Sequence, residues 1–145
     1  MIGDPILVNG ILKIKTMNIS GDSVIVNKSA EEMYHFFSSV GNFEKLMPDD
    51  IQKFEVDGDS FLFALKGMPE IRLVLKDKTE FSNVTLGAAS SKLDFQLGAD
   101  IEEIDEHSCE VQLDFDGKFN MMMAMMVKKP LTSFIEVLTD YIKRL

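Results

Sequence analysis

The chain has 145 residues, a formal net charge of −9 and 46% hydrophobic residues, which fits one domain with a single core. Its 15 basic residues are scattered among 24 acidic ones, so nucleic acid and anionic membrane surfaces are not the expected partners, because both need clustered Lys and Arg. The sequence has no run of 18 apolar residues, and its N-terminus lacks the basic start and apolar core of a secretory signal. We therefore expect a cytoplasmic protein without stable membrane insertion, and the single cysteine, Cys109, agrees with a reducing compartment.

The first part of the chain allows two interpretations. Apolar residues at positions 11–14 and 24–26 predict strand, and Gly21 between them marks a bulge or a turn. Either one long bent strand or a hairpin fits this pattern. Residues 1–16 are a candidate loose extension, and Met17 is a conceivable alternative start.

Two short helices are predicted next. Ser29 and Glu32 form a capping box, in which Ser29 accepts from the third helical amide and Glu32 reaches back to the cap. The helix that follows, about ten residues long, is expected to end at Gly41-Asn42. A second helix of little more than one turn fits residues 43–47. The apolar face of the first helix consists of Met33, Tyr34, Phe37 and Val40.

Between Ile51 and Phe119 the apolar period changes from 3.6 to 2, which is typical of half-buried antiparallel strands. Turn residues separate six such strands, and at least one more precedes the helices, so an antiparallel meander is predicted. The apolar positions are Phe54 and Val56; Phe61, Phe63 and Leu65; Ile71, Leu73 and Leu75; Val84 and Leu86; Leu93, Phe95 and Leu97; and Cys109, Val111, Leu113 and Phe115.

The last 25 residues, from Met121 to Leu145, predict one long helix, because apolar residues recur at three- and four-residue steps. Pro130 predicts a kink near residues 127–129. Five of the ten methionines lie within positions 121–126. Met fills irregular space and adapts to changing contacts, so these residues are either ordinary core or the wall of a cavity. If they face solvent together, a partner surface becomes the better explanation.

The order of strand, two short helices, six-stranded meander and long C-terminal helix resembles the START-like (SRPBCC) superfamily, the helix-grip fold of Bet v 1, polyketide cyclases and lipid-transfer domains. The resemblance covers about residues 17–145. It rests on the strand-to-helix entry at 24–37, the turn at 42–48, the meander and the helix, whose Lys128-Lys129-Pro130-Leu131 step is similar to that of small uncharacterised bacterial members. It implies one α+β domain over residues 1–145, with a curved antiparallel sheet of about seven strands wrapped around the C-terminal helix and two short helices after the first strand.

The resemblance also implies an apolar cavity between sheet and helix, which would bind a small hydrophobic molecule, lipid- or polyketide-like, in a non-catalytic carrier or sensor. The alternative is a closed core, since burial of each large apolar side chain stabilises the fold by itself. The residues expected to face this space are Phe61, Phe63, Leu73, Leu75, Phe95, Leu97, Leu113, Phe115, Met122, Met126, Phe134 and Leu138.

An enzyme is the rival interpretation, since some START-like relatives are cyclases or dehydratases that use a few polar groups in the cavity. The two histidines, His35 and His107, are expected at the surface and apart from each other. No catalytic residue is assigned, no cofactor is expected, and no His and Cys cluster has metal-ligand spacing. The polar candidates are Arg72, Gln96, Gln112 and Tyr141. The oligomeric state is left open.

Overall fold

The computed structural model describes residues 14–90 and 94–145. The expectations for the first 13 residues and for Leu93 lie outside this part of the chain. The first strand begins at Ile14. It therefore includes Ile14, Lys15 and Thr16, which the sequence pattern assigns to the candidate N-terminal extension. In chain order the elements are β1 Ile14–Ser20, β2 Val24–Val26, α1 Ala30–Ser38, a 3₁₀ helix Val40–Leu46, β3 Lys53–Asp57, β4 Ser60–Ala64, β5 Ile71–Thr79, β6 Asn83–Ala88, β7 Asp94–Asp105, β8 Ser108–Asn120 and α2 Met121–Lys143.

The strands form one antiparallel sheet in the order β1-β8-β7-β6-β5-β4-β3, and β2 also pairs with β8. This arrangement confirms the predicted α+β helix-grip architecture, with eight strands in the described residues where about seven were expected. The register of β8 also decides between the two N-terminal interpretations. Ser20 pairs with Asp114, and Val24 pairs with Val111. The N-terminal segment advances by four residues where β8 advances by three. The segment therefore bends at residues 21–23 between two strands that both pair with β8, and it does not form a hairpin.

Helix α1 begins with the predicted capping box. The Glu32 amide donates to Ser29 Oγ at 3.0 Å, and the Ser29 amide donates to Glu32 Oε1 at 3.0 Å. The predicted helix end was wrong, because α1 ends at Ser38 and Gly41-Asn42 lies inside the 3₁₀ helix. The Asn42 side-chain amide donates to the Phe36 carbonyl at 3.0 Å, which satisfies one of the carbonyls left free at the end of α1.

Helix α2 follows β8 without a loop, because Asn120 is both the last strand residue and the N-cap of the helix. Its side-chain oxygen accepts from the Met123 amide at 2.8 Å. The helix continues through Pro130 to Lys143, and the kink at that proline stays a prediction. No helix in the described part of the chain is long and apolar enough to cross a membrane. The buried residues of α2 are Ala124, Val127, Leu131, Phe134, Ile135, Leu138, Thr139 and Ile142.

Candidate functional site

Most of the residues expected to line the space between sheet and helix do face it. Leu75 is only half-buried, at the point where the pairing of β5 with β6 shifts register. The nine residues that are buried in one continuous apolar core are Phe61, Phe63, Leu73, Phe95, Leu97, Leu113, Phe115, Phe134 and Leu138.

Aromatic rings fill the middle of this space and connect the short helices to α2. The ring of Phe43 in the 3₁₀ helix stacks on Phe61 with centroids 5.3 Å apart. Phe61 contacts Phe63 along β4 at 5.8 Å, and Phe63 stacks on Phe134 of α2 at 4.9 Å with the planes 10° apart. All four rings are buried, so their contacts with one another fill the middle of this space.

A surface depression of about 250 Å³ lies next to this aromatic run. It is bounded by the turn after the 3₁₀ helix, the β4–β5 connection and the middle of α2. Phe134 lines it and is also the ring that stacks on Phe63, so this side chain contacts both the depression and the aromatic run. The lining residues are Pro48, Asp50, Leu65, Lys66, Pro130, Ser133, Phe134 and Val137.

Two methionines were placed incorrectly from the sequence. Met122 is 77% exposed and Met126 is 49% exposed, so neither faces the sheet. The reason is that the first turns of α2 bury only Ala124 and Val127, and the methionines lie on the other sides of the helix. Met125 is also exposed, at 78%, and Met121 at 38%. These four methionines are therefore exposed together and do not line the space between sheet and helix.

The polar candidates do not converge on the core. Arg72, Gln96 and Gln112 alternate with inward residues and so lie on the outer face of the sheet. Arg72 donates to Ser60 Oγ at 2.9 Å, and Gln112 donates to the Gly21 carbonyl at 3.0 Å. Tyr141 donates from α2 to Asp49 Oδ1 at 2.9 Å, and this hydrogen bond raises the pKa of the tyrosine.

One polar residue that the sequence did not single out is buried in the described structure. Thr139 of α2 is buried, and its hydroxyl has no hydrogen-bond partner among the described residues. A Cβ at Gly21 would come within 2.6 Å of Thr139 Oγ1, so a glycine at this position lets the bent segment approach the helix closely. A Thr in an apolar helix pattern gives no sequence signal for this contact.

The two histidines of the described residues are exposed, whereas Cys109 is buried. His35 and His107 are exposed, on α1 and in the β7–β8 turn, as expected. Burial raises the pKa of the Cys109 thiol, and nearby Glu32 adds to this effect. Within residues 14–90 and 94–145 no three His, Cys, Asp or Glu side chains are grouped as metal ligands would be.

Several solved structures superpose on this chain over most of its length. No family model and no curated protein sequence matches it. Norcoclaurine synthase from Thalictrum flavum superposes with a TM-score of 0.68 at 14% identity, over 92% of this chain and 94% of that one. Its complex with dopamine and hydroxybenzaldehyde superposes with a TM-score of 0.63 at 16% identity, over 99% and 92% of the two chains. A START superfamily protein from Mycobacterium smegmatis superposes with a TM-score of 0.65 at 15% identity, over 88% and 94%. The protein therefore has the START-like, helix-grip fold.

Proposed function

We propose that this protein binds a small hydrophobic molecule between the concave face of its sheet and α2, and acts in the cytoplasm as a carrier or sensor without catalysis. The observation that carries the proposal is the position of Phe134. Its ring lines the depression beside Pro130 and stacks on Phe63 of the sheet, so a change of its rotamer joins the outside to the aromatic run inside.

The helix is well suited to movement at this point. Pro130 has no amide hydrogen, so the helical turn that contains it lacks one backbone hydrogen bond. The depression is also lined by Leu65 and Val137, which supply apolar surface at the entrance. A ligand that displaces the Phe134 ring would replace its aromatic contact with Phe63 by a contact of its own.

The chemistry of the lining favours a flat, apolar ligand, lipid- or polyketide-like, held mainly by burial of its surface. Phe43, Phe61 and Phe63 offer stacked rings, whereas the polar candidates lie on the outer face or bond to other residues. The complex of norcoclaurine synthase with dopamine and hydroxybenzaldehyde supports a small-molecule site on this fold. Because that protein is a synthase, a cyclase- or dehydratase-like enzyme is the alternative.

Native mass spectrometry of the purified protein, followed by organic extraction, tests the proposal directly. We expect a stoichiometric small apolar mass that is lost on extraction.

An apolar fluorescent probe then locates the site: Phe134→Ala should increase probe binding, because it opens the entrance, and Phe134→Trp should decrease it. Phe81→Ala makes the same change at an exposed ring that contacts Tyr34 and His35 and should leave binding unchanged. Equal probe binding by all three variants would contradict the site.

The exposure of the methionines on α2 favours a second candidate function, that of an interaction module. The observation is specific, since Met122 and Met125 are among the most exposed large apolar residues of the described chain. Single exposed apolar residues are common, but a contiguous group marks a contact site. A protein that purifies without any ligand and associates through this surface would favour this function over ligand binding.

A further inference from the structure

The first two turns of α2 present an exposed apolar surface, here called the methionine face, made of Met122, Met125 and Met126 with Lys129. These positions are spaced i, i+3, i+4 and i+7, so they lie on one side of the helix. Lys128 lies beside them, and both lysines are exposed and make no ion pair with a described residue. The methionine face is therefore flexible, apolar and bordered by free positive charge.

The charge of the first half of α2 differs from the charge of the whole protein, although Asp50 and Lys66, one charge of each sign, line the depression beside Pro130. Residues 121–135 of α2 contain two lysines and no carboxylate, whereas the chain carries −9 overall. At the same end of the sheet, Asp94 is 4.0 Å from Lys118 and neutralises it. The acidic residues Glu103, Asp105 and Glu106, at the end of β7 and in the turn after it, lie at the opposite end of β8, which is about 40 Å long when measured along the strand at about 3.4 Å per residue. A Debye length of about 8 Å at physiological salt screens them from this end.

We propose that the methionine face docks on a lipid surface, with the methionines entering the interface and Lys128 and Lys129 contacting anionic headgroups. An exposed helix face that combines apolar side chains with lysines is typical of helices that lie in a membrane interface. The overall charge disfavours anionic membranes, but docking depends on the charge within a Debye length of the contact. The helix lies on the surface and does not cross the bilayer.

A second copy of the chain fits this face less well. In a two-fold symmetric dimer the same patch meets itself, so Lys128 and Lys129 of the two copies would approach each other. No carboxylate in residues 121–135 is available to pair with them. Two turns of one helix are also small beside the roughly 800 Å² per partner of a stable protein interface. A lipid surface supplies the missing negative charge.

Vesicle flotation with the full chain tests this inference without a bound ligand, so its failure leaves the proposed ligand site untouched. The full chain is used because β1 begins at Ile14, which pairs with Asn120 at the start of α2. We expect binding to vesicles of phosphatidylcholine with phosphatidylglycerol, and weaker binding to phosphatidylcholine alone. Lys128→Gln and Lys129→Gln should each weaken binding about fivefold at low salt, and Met122→Asp with Met125→Asp should weaken it more than about tenfold.

Ile104→Asp is the matched control, because Ile104 is 52% exposed near the acidic end of the sheet and its substitution should leave vesicle binding unchanged. A second control follows methionine oxidation by dilute peroxide. Met122 and Met125 should oxidise quickly in the free protein and slowly with vesicles, while buried Met33 stays slow in both. The inference is overturned if wild-type protein does not float, or if the Met variants bind as wild type. It is also overturned if Met122 and Met125 oxidise as slowly as Met33 without vesicles. A protein that forms a dimer, binds no vesicle and loses the dimer on substitution of Met122 and Met125 would overturn it as well.

Discussion

The ring of Phe63 on β4 stacks on the ring of Phe134 on α2, with centroids 4.9 Å apart and planes only 10° apart. This contact joins the sheet to the helix at the middle of the apolar space between them. Both rings are almost fully buried, yet Phe134 also borders a depression that opens to solvent. The same pair therefore stabilises the fold and forms the inner wall of the candidate entrance.

Replacing Phe134 by alanine should lower the free energy of unfolding by about 3–5 kcal/mol, because it removes a buried ring and leaves a cavity. A small apolar molecule such as benzene should recover part of this loss, since it can fill the space against Phe63. Urea unfolding with and without benzene measures both effects. Phe119→Ala, at a half-buried ring, should cost less and gain nothing from benzene. Absence of any recovery in Phe134→Ala would mean that the core collapses into the space.

Replacing Thr139 by valine should raise the free energy of unfolding by about 1 kcal/mol, because the shape is kept and a buried hydroxyl without a partner is removed. Chemical denaturation at neutral pH measures the change. A loss of stability would show instead that the hydroxyl has a hydrogen-bond partner, such as a bound water.

Gly21→Ala should be destabilising, because its Cβ would lie 2.6 Å from Thr139 Oγ1 and 3.1 Å from Ile135 Cγ2. Thr139→Ala in the same chain should reduce that penalty, since it removes the closer of the two atoms. A double-mutant cycle of the unfolding free energies measures the coupling. Strictly additive effects would mean that the strand moves away from the helix at no cost.

Replacing Ser29 by alanine should cost about 1 kcal/mol of stability through loss of the N-cap of α1. Glu32→Ala should also destabilise at neutral pH, and this effect should depend on pH. Hydrogen bonds from Ser29 lower the pKa of Glu32, so the carboxylate stabilises the fold above its unfolded pKa of about 4.3, and that contribution is lost as the pH falls through the folded pKa. Unfolding curves of wild type and Glu32→Ala should therefore converge in acid. A pH-independent difference would contradict this role.

Cys109 should react slowly with thiol reagents in the folded protein. Burial raises the pKa of its thiol, so less thiolate is present at a given pH, and the side chain is inaccessible. Reaction with a chromogenic disulfide should be much faster in denaturant. Fast labelling of the native protein would mean that β8 opens locally near Val26, which pairs with Cys109.

The sequence by itself determined the fold class and most of the core. The period-2 pattern between Ile51 and Phe119, the capping box at Ser29 and the periodic helix after Met121 were sufficient, because local geometry dictates the repeat of inward-facing residues. For the same reason, nine of the twelve expected inward residues are buried.

Only the tertiary structure decided which side of α2 meets the sheet, and where the bent strand approaches it. Ala124 and Val127 pack inward while Met122, Met125 and Met126 remain outside, although methionine has the larger apolar side chain. The side of α2 that turns inward carries its buried residues from Ala124 to Ile142. The contact of Gly21 with Thr139 depends on residues more than a hundred positions apart. No local pattern carries such information, because it arises when distant segments pack together.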